Sequence, residues 1–416
     1  MNINTMRSID FWAGVPMCAL ATGVIRLWKF FRPTASRPLC RVLFIGLSEL
    51  GSTILAGPAM RKARDQLQAQ LYFLISDANS ASIELTGMVP PSNVFTIRID
   101  SLMHLARDFI SFLVWARRNS IDTAIDLELF SRLSALLTGC CGADRTAGFH
   151  GFHNEGLYRG KMLTHRVIYN PHIHIAKGFI ALVNAVLSRE ATVPYSKTVI
   201  ADTELVFSLP PPERIARANM VERVRLQVPG YEPSRNRLVL INPNCGDLLP
   251  HRRWPIARYG ELARRLLGDY ADIFVLITGS TDDRDNAASL VADVGSARCV
   301  SIAGSTSLGD LPSLCSLSAV MVTNDSGPAH IAAAANLQTI ALFGPETPKL
   351  YGPLGAARTL YAGLACSPCA TAYNHRRTAC TDNICMQSIT VDAVYSELES
   401  VLSLTFPARQ AMADCP

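Results

Sequence analysis

Short runs that are apolar from end to end, each followed by a stretch with helical spacing, limit most strongly what this chain can become. Residues 41–47 (RVLFIGL), 71–76 (LYFLIS), 93–99 (NVFTIRI) and 123–128 (TAIDLE) form one series. Residues 237–243 (RLVLINP), 272–279 (DIFVLITG), 299–304 (CVSIAG), 319–325 (AVMVTND) and 339–344 (TIALFG) form a second. A strand with one wet face alternates polar and apolar residues. A strand that is apolar throughout is covered on both faces, as in parallel sheets joined by crossover helices. Helices are predicted through Arg64, near 80–87, and over 102–118, 130–138, 254–268, 283–293 and 327–336, with another after Thr306. The pattern predicts an α/β fold of two tandem Rossmann-like, doubly wound domains.

Length and composition agree. A chain of 416 residues holds two or three domains, and 49% hydrophobic residues exclude intrinsic disorder. No window reaches the ~18 uninterrupted apolar residues that a multi-span membrane protein repeats. Lys and Arg number 39 against 34 Asp and Glu, too small an excess to mark a nucleic-acid binder. The divisions predicted are an N-terminal segment 1–39, a first domain 40–208, a linker 209–235 and a second domain 236–405. The linker opens with Pro210-Pro211-Pro212 and closes with Pro229-Gly230 and Pro233.

The mean hydropathy of +0.19 is high for a cytosolic enzyme. Part of it lies in 11–25 (FWAGVPMCALATGVI), which is followed by Arg26, Lys29, Arg32 and Arg37. Pro16 interrupts the run, and the basic cluster is on the wrong side for a signal peptide. With Arg7 and against Asp10, segment 1–39 carries four of the chain's five net positive charges. Trp12, Ile25, Leu27 and Trp28 beside these bases predict an amphipathic segment lying on an anionic membrane surface. The alternative is a helix packed on the first domain.

Three strand ends carry the chemistry. Residues 322–330 (VTNDSGPAH) join a buried strand to a helix with Pro328 in its first turn. Ser326 and Gly327 are small, so a ligand can approach backbone N–H groups at a helix N-terminus, a natural anion site. Asp325 is placed to hold sugar hydroxyls; the alternative is that Asp325 or Ser326 simply caps the helix. Residues 242–246 (NPNCG) and 251–255 (HRRWP) form a second such junction, with Arg252 and Arg253 suited to phosphate. The third is the turn Ser48-Glu49-Leu50-Gly51-Ser52, where Glu49 is either a general base or a charge favoured by a helix dipole. In two-domain α/β chains, ligands are expected at the carboxyl ends of the strands, in the cleft between domains.

Residues 324–334 (NDSGPAHIAAA), followed by 342–348 (LFGPETP) and Gly352-Pro353, resemble the donor-site signature of glycosyltransferase family 9, the lipopolysaccharide heptosyltransferases and their relatives. Arg253-Trp254-Pro255, Leu47-Ser48-Glu49-Leu50-Gly51, Asp126-Leu127-Glu128 and Ser131-Arg132 add to it, and the resemblance spans roughly 40–405. It implies a GT-B architecture with an acceptor-binding first domain and a nucleotide-sugar-binding second domain. The implied reaction is inverting and metal-independent. It moves a heptose-like sugar from a nucleoside-diphosphate sugar, ADP-linked by preference, to a lipopolysaccharide or other lipid-linked glycan. Asp325, Ser326, Gly327 and His330 are implied donor contacts, joined by Asn244, Gly279 and Ser280 at the other strand ends. Arg252 falls where the family commonly has a diphosphate-neutralising Lys. The family usually has Gly-Asp in the first loop, with Asp as base. Here the pair is Gly51-Ser52, and Glu49 is the candidate replacement, with Ser52 beside it. The alternative is a non-catalytic sugar-nucleotide-binding or scaffold protein; a sugar-nucleotide epimerase rests on fold analogy alone. The expected location is cytoplasmic, peripheral to the inner face of the inner membrane.

Of 12 cysteines, Cys366, Cys369, Cys380 and Cys385 cluster, with His375 among them. Four such ligands can hold a structural zinc; free thiols are the alternative, and disulfides are disfavoured in a reducing compartment. Asp283-Arg284-Asp285 has the spelling of a metal motif but sits at a charged helix start and reads as solvated surface. Residues 149–156 (FHGFHNEG) and 158–161 (YRGK), with His165, Arg166, His172 and His174, are basic and aromatic enough to grip an anionic, lipid-linked acceptor.

Overall fold

A computed structural model describes residues 3–31, 39–47, 49–152, 154–188, 196–246 and 249–405. Ser48, His153, Arg32 and Arg37 lie outside the described residues. The chain divides into two units, Met1–Val206 and Phe207–Pro416.

The first unit runs α1 (Ile3–Trp12), α2 (Gly14–Phe31), β1 (Arg41–Ile45), α3 (Leu50–Leu55), α4 (Gly57–Leu67), β2 (Gln70–Ser76), α5 (Ala81–Thr86), β3 (Val94–Ile97), α6 (Leu102–Arg118), β4 (Thr123–Asp126), α7 (Arg132–Cys140), β5 (Arg145–His150), β6 (His165–Ile168) and α8 (Ile175–Leu187). The second runs α9 (Arg214–Gln227), β7 (Arg237–Asn242), α10 (Ile256–Asp269), β8 (Ile273–Ile277), α11 (Arg284–Val294), β9 (Cys299–Ser301), α12 (Leu311–Cys315), β10 (Ser318–Asn324), α13 (Gly327–Ala334), β11 (Thr339–Phe343), α14 (Pro348–Tyr351), β12 (Ala357–Tyr361), α15 (Ile384–Gln387) and α16 (Val391–Thr405).

Each unit holds a six-stranded sheet, ordered β3-β2-β1-β4-β5-β6 and β12-β11-β10-β7-β8-β9. Every pairing is parallel. Both orders are doubly wound, with the direction of winding reversing between β1 and β4 and between β7 and β10. A crevice opens at the carboxyl ends of such strand pairs. The strands read from apolar runs are present; β5, β6 and β12 went unread. In β5 the run is broken at Gly148, where a Cβ would stand 3.0 Å from Leu163 Cδ1 and 3.1 Å from Asp126 Cβ. β6 and β12 are edge strands with mixed burial and no continuous apolar stretch.

The expected linker 209–235 is largely helical. α9 buries Met220 and Val224, one turn apart. Its Arg223 reaches Asp310 at 2.8 Å, which ties the segment to the second unit.

The N-terminal segment is two helices docked on the first unit. The Asp10 carboxylate accepts from the backbone N–H of Arg132 (3.0 Å) and of Leu133 (3.1 Å), so a residue of α1 caps α7. Arg132, 1% exposed, also reaches Asp10 at 3.1 Å and donates to the carbonyls of Tyr158 and Gly156. Thr22 of α2 accepts from the N–H of Lys161 at 2.9 Å. Gly160 has φ +77°, and a Cβ there would stand 2.8 Å from Thr22 Oγ1 and 2.9 Å from the Cys18 carbonyl. Residues 156–161 therefore buttress α2 through their backbone, while the Tyr158 and Lys161 side chains stay exposed. Arg159 is buried and paired with Asp126. His165 and His174 also have local partners: Thr164 Oγ1 at 2.9 Å, and the Ala176 N–H, which His174 caps at 3.2 Å.

Ser131 is the N-cap residue of α7, and Asp10 adds a second acceptor at its first turn, so replacing Asp10 with Ala strands the Arg132 and Leu133 amides and removes one partner of a buried guanidinium. The expected cost is about 1–2 kcal/mol in urea unfolding, with new protease cuts near α1. His150 supplies a pH test. Its Nδ1 accepts from the Phe152 N–H at 3.0 Å and its Nε2 faces the Gly160 carbonyl at 3.2 Å. Burial, helped by Arg166, Arg159 and Lys161, lowers its pKa from 6.5 to about 4. The unfolded chain therefore takes up this proton first, and stability falls as pH drops from about 6.5 towards 4. His150→Gln should flatten that part of the stability profile.

Candidate functional site

In the first unit, the crevice lies where β1 and β4 end. Asp126, the last residue of β4, is fully buried. It accepts from Ser134 Oγ (3.0 Å), the Glu128 N–H (3.0 Å) and Arg159 Nη2. Burial pushes its carboxyl up, and the Arg159 guanidinium pulls against that. Glu128 in turn accepts from the Leu47 N–H at 2.6 Å, while Asn79 Nδ2 donates to the Leu47 carbonyl at 3.3 Å. The loop after β1 is thus pinned by β4's own continuation.

Glu49 occupies the N-cap position of α3 in extended backbone (φ −144°, ψ 135°), half-buried, and its side chain makes no capping bond. Ser52 lies in the first turn of α3, also half-buried. Both lie in the segment that follows the carboxyl end of β1.

In the second unit, Asn324 ends β10 and is fully buried. Its Oδ1 accepts from the Trp254 N–H and the Tyr259 hydroxyl, each at 2.9 Å. Its Nδ2 donates to the carbonyls of Pro243 (2.8 Å) and Asn244 (3.4 Å). One amide therefore joins β10 to the loop after β7 and to the start of α10. Trp254 reinforces this joint, donating Nε1–H to the Ile389 carbonyl at 2.9 Å and standing edge-on to Tyr259.

Four charged side chains then alternate in sign. Arg252, on the short turn Pro250–Arg252, places Nη1 3.5 Å from both Asp325 Oδ2 and Glu346 Oε2. Arg376 puts Nε 3.0 Å from Glu346 Oε1, with its guanidinium 4.9 Å from the centre of the Tyr351 ring. Asp325 is 3% exposed and Glu346 2%. Carboxylates so buried need close cationic partners, and this row supplies them.

Beside the row is the N-terminus of α13. Ser326 holds the N-cap position but its side chain makes no capping bond; its Oγ lies 3.2 Å from Thr323 Oγ1 instead. The simple capping role for Ser326 is therefore not what its hydroxyl does. Gly327 is half-buried and His330 buried, one turn further into α13.

The remaining candidates have local partners. Asn244 Nδ2 donates to the Thr278 carbonyl at 3.2 Å. Gly279 admits no side chain, because a Cβ would stand 2.7 Å from that amide and 2.8 Å from Asp283 Cβ. Ser280 donates its N–H and hydroxyl to Asp283 at 2.7 and 2.6 Å, closing its own turn.

The four clustered cysteines are free thiols. Cys366 is exposed, Cys369 and Cys380 are half-buried and Cys385 is buried. Among the described residues, no three His, Cys, Asp or Glu side chains are grouped as a metal site. Each sulfur that packs has a local role: Cys380 accepts from the Asn383 N–H (3.3 Å), Cys369 from Thr378 (3.3 Å), and Cys385 lies against Gly344.

Sequence reading gave no role to Asn324, Glu346 or Arg376. Asn324 and Glu346 lie in quoted motifs, and an acid three residues past an apolar strand end, after Gly344-Pro345, is a usable signal for Glu346. Nothing local marks Arg376, which the cysteine-bearing loop delivers. Asn324→Ala would leave the Trp254 amide and Tyr259 hydroxyl stranded in the core. Urea unfolding should show a loss of about 2–4 kcal/mol.

Two parallel, doubly wound units, each with polar residues gathered at the carboxyl ends of its central strands, define the GT-B class of glycosyltransferase folds. Residues 116–378 match glycosyltransferase family 9 (heptosyltransferase), and the chain belongs to that family. It is 34% identical over 161 residues to lipopolysaccharide heptosyltransferase 2 of Salmonella typhimurium, an alignment covering 37% of this chain and 44% of that protein. The chain thus spans less than half the length of this curated relative. By structure it is similar to Escherichia coli ADP-heptose LPS heptosyltransferase II, with TM-score 0.65, 21% identity, and 88% of this chain and 99% of the other covered. The E. coli heptosyltransferase WaaC with ADP-2-deoxy-2-fluoro heptose aligns with TM-score 0.60 and 16% identity, covering 86% of this chain and 99% of that one. At these identities the likeness in structure speaks for the fold.

Proposed function

We propose that this chain is an inverting, metal-independent glycosyltransferase that moves a heptose-type sugar from an ADP-sugar to a lipopolysaccharide or other lipid-linked glycan. The observation that carries the reading is the row Asp325–Arg252–Glu346–Arg376 beside the α13 N-terminus. It lies at the reversal point of the second sheet, where this fold class takes its nucleotides. The names of the relatives support the sugar and the acceptor, and the WaaC structure's ligand supports the donor.

The chemistry follows from the groups. The acceptor hydroxyl oxygen attacks the anomeric carbon from the face opposite the diphosphate. The bond from that carbon to the diphosphate oxygen breaks, and the configuration inverts. Glu49 takes the hydroxyl proton, since Ser52 has no basic group to offer at neutral pH. The charged row is neutral overall. The departing diphosphate is therefore held by oriented guanidinium N–H groups of Arg252 and by the first-turn amides of α13, not by net charge. Asp325 holds sugar hydroxyls in this reading, and His330 joins the donor contacts. The first unit receives the acceptor, and its N-terminal helices bring it to the inner face of a cytoplasmic membrane.

The test is release of nucleoside diphosphate from ADP-, UDP- and GDP-sugars in the presence of lipid extract. ADP-sugar should be turned over. Glu49→Gln should lower kcat by about 10²–10⁴-fold with donor KM little changed. Arg252→Ala should cost about 10²–10³-fold in kcat/KM. Unchanged turnover in Glu49→Gln would move the base elsewhere. Donor binding without turnover for any pair would favour the non-catalytic reading, which the serine at position 52 motivates.

A further inference from the structure

We propose that α2 and α6 together form one docking face that lies flat on an anionic phospholipid bilayer. This rests on the membrane reading of the N-terminal segment and adds to it a second helix and an orientation.

Both helices present an apolar row to solvent. On α2, Met17, Leu20, Val24, Leu27 and Phe31 recur at intervals of three and four and so share one side. Leu20 is 71% exposed and Phe31 73%, with Trp12 of α1 exposed at one end of the row. On α6, Met103, Ile110 and Val114 line a second row, with Met103 81% exposed and Ile110 64%. Phe109 of α6 packs on the same small core (Cys18, Ala135, Leu136 and Met162) as Ala21 and Ile25 of α2. That shared core seats α6 beside α2, both against α7, with Ile110 of the second row directly after Phe109. Exposed apolar rows on neighbouring helices mark an interaction site.

Charge selects the occupant. α2 contains no acidic residue, and the acids nearest the patch are committed. Asp10 caps α7, Asp108 pairs with Arg98 at 2.7 Å, and Asp100 pairs with His104 at 2.9 Å. Arg26, Arg107, Arg117 and Arg118 are exposed around the rows. An apolar centre with a basic rim fits anionic headgroups over acyl chains. A second copy of the chain fits poorly, because a symmetric contact would set these arginines against themselves.

The same contacts decide orientation. Residues Thr5–Leu27 are long and apolar enough to cross a membrane. Their inner side, however, holds the fully buried Cys18, the bond from the Lys161 N–H to Thr22 and the Asp10 cap on α7. Crossing would strip these polar groups of their partners in hydrocarbon. Lying in the plane keeps every one.

The test is co-sedimentation of the full chain with phosphatidylglycerol/phosphatidylcholine vesicles and with phosphatidylcholine alone. Binding should favour the anionic vesicles, weaken with salt and be reversed by alkaline carbonate. The double variants Leu20→Glu/Leu27→Glu and Ile110→Glu/Val114→Glu should each lower partitioning about tenfold or more. Both should keep wild-type thermal melts and wild-type nucleotide release with a deacylated, soluble acceptor. Wild-type partitioning of the α6 variant would overturn the joint face, and resistance to carbonate would overturn the in-plane orientation. Dimers in sedimentation velocity without vesicle binding would give the patch to a second copy. Docking without turnover in the wild type would sink the proposed activity and leave the docking face standing.

Discussion

A parallel sheet covered by helices on both faces can hold polar side chains only where its strands end. Along the strands every side chain meets apolar neighbours, and an unpaired polar group there costs several kcal/mol. Both units obey this. Leu43, Ile45, Leu74 and Ala124 fill one core, and Val239, Ile241, Val275 and Val322 fill another. The buried polar residues Asp126, Asn242, Asn324 and Asp325 all come at or just after the last residue of a central strand. The fold thus delivers its chemistry to two places, and the reversal of winding direction keeps those places open.

At both places the polar residues first stabilise one another. Asp126 gathers Arg159, Ser134 and the Glu128 amide, and Glu128 then holds the loop that presents Glu49. Asn324 locks the loop after β7 and the start of α10 into position, which fixes where Arg252 emerges. Arg252 can then face Asp325 and Glu346 at equal distance. Buried ion pairs of this sort add little to stability, because desolvation offsets their attraction. Their consequence is positional: two guanidinium groups are held still beside a helix N-terminus.

The N-terminal helices follow the opposite rule. Their inner side is pinned by polar contacts to α7 and to the 156–161 loop, while their outer side is apolar and wet. Helical spacing made the outer side visible in sequence. The inner side was not visible, because Asp10 is 122 residues from the Arg132 whose amide it caps.

How far each residue was legible depended on the range of the interaction that gives it meaning. Strands, helices, the doubly wound class and the helix start at Gly327 follow from periodicity and from Gly and Pro preferences, which act over a few residues. The sequence by itself therefore determined two α/β units, the strand ends where chemistry belongs and the family signature at 324–334. It did not reveal β5, β6 or β12, whose runs are short or broken, or the helix inside the Pro-bracketed 209–235 stretch. Only tertiary structure decided that Arg159 is a buried partner of Asp126. It also decided that Arg252, Asp325, Glu346 and Arg376 make one charged row. The reason is physical: a side chain's charge is written in the sequence, but its partner is whichever group the packed chain places within a few ångströms.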